Sequence, residues 1–177
     1  MNRGFWSIAL AASLFVLIGF DPSARGDVEV GQRAPSLVVP ELNGQTFDLS
    51  AMRGWVVVVN FWATWCPPCR KEMPALDAFY RRYHAQGLEM IGLSADRPHD
   101  RSDVVKVMQS FSYPGGMLNE AKSDGFGDPS ELPVTYVVDT QGLIRAKFIS
   151  DEKPLTEQSL VAAMLPLLPP RTPIQEH

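Results

Sequence analysis

Cysteine is scarce in this chain, with two in 177 residues, Cys66 and Cys69. Two thiols cannot build a disulfide framework. The only histidines are His84, His99 and His177, so a structural zinc site, which needs about four ligands, is not supplied either. Basic blocks are missing as well. The formal net charge is -4 and no Lys/Arg cluster occurs, so the chain carries no electrostatic footprint for nucleic acid. No internal repeat is visible. What remains is ordinary globular composition, 45% hydrophobic and 20% charged, in a length that suits one domain with a full core.

One long apolar run is present, at the N-terminus. Arg3 gives a positive start, Phe5 to Phe20 is almost wholly apolar, and Ala24-Arg25-Gly26 places small residues at the -3 and -1 positions of a cleavage site. That order reads as an export signal over residues 1–26, removed after Gly26. The alternative is an uncleaved membrane anchor through residues 4–20, because about sixteen apolar residues fall only slightly short of the roughly 17 to 25 that span a bilayer. Either reading puts the remaining domain in the periplasm or on the outer face of the cytoplasmic membrane. A buried N-terminal core helix is the third reading, and the order of charge, apolar run and small residues argues against it.

The two cysteines lie in Trp62-Ala63-Thr64-Trp65-Cys66-Pro67-Pro68-Cys69. An unbroken apolar run, Trp55 to Val59, precedes this stretch, and Met73, Leu76, Tyr80 and Tyr83 follow it at helical spacing. A buried strand therefore hands over to a helix at the cysteine pair. The first turn of a helix presents unpaired N–H groups and the positive end of its dipole, and both favour an anion. A thiol placed there loses its proton more easily than the reference value of about 8.5, and the thiolate is the attacking form. Cys66, at the helix mouth, is assigned the nucleophile's role. Cys69, one turn in on the same face, is assigned the resolving role. A purely structural staple is disfavoured, because the stabilisation from a cross-link grows with the loop it closes and this loop holds four residues.

The rest of the chain reads as follows. Val28 to Gly54 opens the domain, with a hairpin around Asn43-Gly44. Trp55 to Phe61 is a central buried strand, being continuous rather than alternating. Arg70 to Ala85 is helical, with Pro74 inside it and Gly87 closing it. Leu88 to Ala95 is a second buried strand, completing a β-α-β unit with a parallel pair. A helix is expected from Ser102 to Phe111, capped by Asp100 or Ser102, with Val104, Val105, Met108 and Phe111 inward. His99 is an exposed loop histidine, and Arg81 and Arg82 belong to a solvated helix face more readily than to a docking patch. Tyr113 to Leu118 suggests a short strand, and Ala121 to Glu131 suggests no regular element. Leu132 to Val138 and Leu143 to Ile149 form a hairpin, with Ile144, Ala146 and Phe148 on one face. A last helix runs from Thr156 to Leu165, and a proline-rich tail, residues 166–177, is extended.

Asn60 to Cys69 with Pro74, Ala34-Pro35 through Gly54, and Leu132-Pro133-Val134-Thr135 to Gly142 together resemble the thioredoxin superfamily, and within it the exported TlpA/ResA/CcmG-like thiol-disulfide oxidoreductases. The resemblance covers roughly Val30 to Leu165. It implies an α/β thioredoxin fold over residues 27–165, a central mixed β-sheet flanked by helices, with an N-terminal β-hairpin extension. It implies a cis Leu132-Pro133 bond, with Pro133 facing the cysteines and Leu132 presenting backbone to a substrate strand beside Trp65, Pro67 and Pro68. It calls for no cofactor and no metal. The expected partners are a disulfide-containing protein substrate and a membrane thiol electron donor.

Thioredoxins proper place a buried aspartate where this chain has Asn60, and an amide cannot accept the resolving cysteine's proton. Asp96, just after the second central strand, is the candidate acceptor, although an exposed loop aspartate or a helix-entry residue would also explain it. Glu72 is a further candidate on a more solvated position. Pro67 and Pro68 carry no N–H and no charge, so thiolate stabilisation is moderate and a reductant is expected. One role open to such reductants is cytochrome c maturation. A disulfide oxidase or isomerase is the second reading. A metal-delivery module would use C-x-x-x-C with a distant histidine, and a thiol peroxidase would have Thr or Ser where Ala63 stands.

Overall fold

The computed structural model describes residues 28–149 and 155–169. The proposed signal or anchor, and the end of the proline-rich tail, lie outside the described residues.

The molecule is built on β3 (Val56–Trp62), every residue of which is buried. It runs parallel to β4 (Leu88–Ser94), with Val56 opposite Leu88 and Trp62 opposite Ser94. On its other side it runs antiparallel to β7 (Val134–Val138), with Phe61 opposite Val134. Next to β4 lies the short parallel strand β5 (Gly115–Met117), and next to β7 the antiparallel strand β8 (Ile144–Ile149). The order β5-β4-β3-β7-β8 is a mixed sheet, as the resemblance implied. Two strands of a smaller sheet form the N-terminal hairpin, β1 (Leu37–Pro40) and β2 (Thr46–Asp48), joined through Gly44 at φ 89°. The third is β6 (Ser123–Asp124), drawn from the segment that showed no element in sequence.

An unbroken valine run is tolerable in β3 because both faces of the sheet are covered. Val56, Val58 and Trp62 join the layer that holds α1 (Pro67–Tyr83) and α3 (Glu157–Met164), packing with Met73, Leu76, Leu160 and Met164. Val57, Val59 and Phe61 pack against Leu37, Val39 and Phe47 of the hairpin. Each such side chain contributes roughly 1.5–3 kcal/mol by leaving water, so β3 is held rigidly at its C-terminal end, where it delivers the cysteines.

The structure also differs from the sequence reading elsewhere. The second helix, α2 (Arg101–Met108), stops three residues early, and Asp100 stands at its cap without a side-chain hydrogen bond. Its carboxylate lies 3.4 Å from exposed His99 instead. Ile144 does not share a face with Ala146 and Phe148: Val138 pairs with Ile144 while Val137 pairs with Ala146. Arg145 is thus an extra residue in β8, and such a bulge flips the alternation. Ile144 therefore packs with the hairpin layer, while Ala146 and Phe148 pack with the helices. Finally, α1 gives way to a single 3-10 turn, His84–Gln86, before Gly87 at φ 94°.

Candidate active site

Cys66 is the N-cap of α1, and its Sγ accepts a hydrogen bond from Cys69 N–H at 3.3 Å. The two cysteines form a disulfide with Cα atoms 5.4 Å apart. A cap side chain ordinarily receives N–H groups from the second and third helical residues. Here Pro67 and Pro68 fill the first two positions, so Cys69 supplies the one first-turn donor. The sulfurs are well covered, with Cys66 4% and Cys69 1% exposed, whereas Trp65 is 66% exposed and both prolines are exposed. Trp65 and the two prolines therefore form the exposed surface beside the covered sulfurs.

Leu132-Pro133 is cis, and Pro133 immediately precedes Val134, which pairs with Phe61 of β3. That register sets Pro133 level with the start of the loop leading to Cys66. Beside it runs a groove of about 500 Å³ bordered by Trp65, Asp96, Asn119, Asp128, Glu131 and Leu132. Trp65 and Leu132, both picked out by sequence, thus line one groove.

The two proton-acceptor candidates have different surroundings. Asp96 is 2% exposed. Its carboxylate accepts from Thr64 N–H at 2.8 Å, Thr64 O–H at 2.5 Å and Ser94 O–H at 2.6 Å; neither cysteine is among these partners. Glu72 lies three residues beyond Cys69, a spacing that puts two side chains on one helix face. Burial pushes its carboxyl above the ordinary carboxylate range, opposed by a hydrogen bond from the Leu155 backbone N–H. Asn60 is buried and donates to Thr135 Oγ1 at 2.8 Å, tying β3 to β7 one residue from Phe61 and Val134. Arg81 pairs with buried Asp77 at 2.9 Å, as befits a helix face with local partners. Thr64 and Ser94 escaped the sequence reading. Ser94 could have been suspected from its spacing of two from Asp96, but Thr64 is 32 residues away and became visible only through the parallel pairing of β3 and β4.

A profile of the AhpC/TSA family matches residues 30–147. The chain belongs to the AhpC/TSA family. Within that family it is similar to the thiol-disulfide oxidoreductase ResA of Bacillus cereus strain ZK, at 30% identity over 85% of this chain and 90% of the relative. The ResA of Bacillus cereus strain ATCC 10987 / NRS 248 is 45% identical over 81% of this chain and 86% of the relative. In three dimensions it is similar to a thioredoxin-family thiol:disulfide interchange protein from Chlorobium tepidum TLS, with TM-score 0.64 at 21% identity, covering 80% of this chain and 99% of that one. A secreted thiol-disulfide isomerase from Corynebacterium glutamicum gives TM-score 0.61 at 25% identity over 76% and 84% of the two chains. This AhpC/TSA member is a thioredoxin-like thiol-disulfide oxidoreductase of ResA type.

Proposed function

We propose that this oxidoreductase is exported and works as a reductase of disulfides in other proteins, with Cys66 as nucleophile and Cys69 as resolving thiol. The observation that carries the direction is the proline pair in the first turn of α1, which leaves Cys66 a single N–H donor. Strong oxidants owe their potential to a heavily stabilised thiolate, and one donor plus the helix dipole gives moderate stabilisation.

In the reducing direction the Cys66 thiolate attacks a substrate sulfur, forming a mixed disulfide and releasing one substrate thiolate. Cys69 then gives up its proton and attacks Cys66 Sγ, which releases the second substrate thiolate and leaves the Cys66–Cys69 disulfide. Two electrons have passed to the substrate, and a membrane thiol donor returns them. Trp65, Pro67, Pro68 and Leu132 form the docking surface, and Pro133 shapes its far side. Glu72 is favoured over Asp96 as acceptor of the Cys69 proton, because it shares the helix face of Cys69 and is already biased toward holding a proton. Export follows from the signal-like residues 1–26, and keeping apocytochrome c thiols reduced is one role such a reductase fits.

The test is the reduction potential of the Cys66–Cys69 pair in protein lacking residues 1–26, equilibrated with thiol buffers of known poise. A value near thioredoxin's, about -270 mV, supports the reductase; one near -120 mV makes the protein an oxidant or isomerase.

A further inference from the structure

Asp96 holds an arrangement that redox chemistry alone does not demand. Its two oxygens take three hydrogen bonds, two of them from Thr64, which stands two residues before Cys66. Ser94 Oγ in turn accepts from Asp96 N–H at 3.0 Å, closing a small ring at the end of β4. The backbone carbonyl of Asp96 accepts from Asn119 Nδ2 at 2.8 Å, and Asn119 borders the groove together with Trp65 and Asp96 itself. One residue thus ties the loop before the cysteines, the end of β4 and the groove wall together. The carboxylate is buried with uncharged partners, an arrangement that is costly unless each donor is in place.

We propose that Asp96 is a positioning residue, whose side chain and backbone fix the Thr64–Trp65 turn and the Asn119 wall as one unit so that Trp65 and Cys66 meet a docking protein together. This rests on the oxidoreductase reading of the site and adds a specificity device to it. The hydrogen-bond pattern separates this role from proton transfer. Oδ2 accepts a backbone N–H and a serine O–H, so it must be an acceptor. Oδ1 meets only the Thr64 hydroxyl, which can rotate and accept. An asparagine can therefore replace Asp96 with its oxygen at the Oδ2 position and its amide donating to Thr64 Oγ1, keeping the tie while abolishing the base.

Three variants decide the matter: Asp96→Asn, Asp96→Ala, and the double change Thr64→Val with Ser94→Ala, which keeps the carboxylate but strips two of its three donors. Insulin disulfides serve as the protein substrate and dithiothreitol as a small thiol that needs no docking. The expected result is that Asp96→Asn stays within about threefold of the parent in kcat/KM on insulin. Asp96→Ala and the double variant fall at least tenfold, mainly through KM, while their reduction by dithiothreitol changes less than threefold. The proposal is overturned if Asp96→Asn falls as far as Asp96→Ala with a displaced pH profile, or if the double variant keeps the parent's KM. Amide hydrogen exchange at Thr64 needs no substrate and separates this from a failure of the reductase reading. Protection kept in Asp96→Asn and lost at least tenfold in Asp96→Ala supports the tie whatever insulin shows, and equal exchange in both overturns it. Should Asp96→Ala not fold, the contrast between Asp96→Asn and the double variant carries the same decision.

Discussion

Replacing Pro68 by alanine restores the one backbone N–H that α1 withholds from Cys66. The second helical residue of a capped helix aims its N–H at the cap side chain, and Pro68 holds that position. A hydrogen bond to a charged acceptor is worth about 1.5 kcal/mol, which is close to one pKa unit in favour of the thiolate. The added donor therefore makes the Cys66 thiol more acidic in the variant than in the parent. At about pH 7 the larger thiolate fraction then stabilises the reduced form by roughly 1 kcal/mol, which raises the potential of this two-electron couple by about 20 mV. The sign follows because whatever stabilises the reduced form makes the disulfide more oxidising. At about pH 5, where protonation removes the thiolate that the new donor favours, the difference should shrink toward zero. Equilibration with glutathione buffers at the two pH values measures it, and the pH dependence of Cys66 alkylation gives the pKa independently. No shift at neutral pH, or an equal shift at both, refutes the reasoning that donor count at the cap sets the poise.

Two further outcomes concern the scaffold. Thr135→Val keeps the shape of the residue but strands the buried Asn60 amide, whose Nδ2 donates to Thr135 Oγ1; a loss of about 1–3 kcal/mol in denaturant unfolding is expected. Asp139 is buried in the turn before β8, which pushes its carboxyl up, but the N–H groups of Leu143 and Gln141 and the Arg145 guanidinium outweigh burial and hold it below the ordinary range. A depressed carboxyl contributes stability above its unfolded value, near 3.8, and loses it as pH falls through the folded one. Asp139→Asn should cost about 1–3 kcal/mol at neutral pH, with the gap to the parent closing in acid; chemical unfolding across that range checks it.

The strand, the helix and the cysteine pair were legible because each is written in local pattern: a valine run, apolar residues at helical spacing, and prolines where a helix begins. Pro133 was legible as a strand start, and its cis bond only through resemblance, since nothing in an X-Pro dipeptide fixes the isomer. The flip of Ile144 was not legible. It depends on where β8 acquires an extra residue against β7, and alternation read along one strand assumes perfect pairing. The three-way tie at Asp96 was equally hidden, because hydrogen bonds over 32 and 23 residues are made by the sheet's register and leave no mark on either segment. β6 escaped because two residues are too few to show a period, and it exists only as a partner for β1.

The burial of Cys66 and Cys69 behind an exposed tryptophan and two exposed prolines has a kinetic meaning beyond its chemistry. Small thiols and disulfides collide everywhere on a protein, but sulfur that is almost wholly covered offers them a narrow line of approach, while a protein that seats on Trp65 is held where that line opens. A pair covered in this way should exchange slowly with small thiols, and its reaction with a disulfide-bearing protein should depend on how that protein seats beside Trp65.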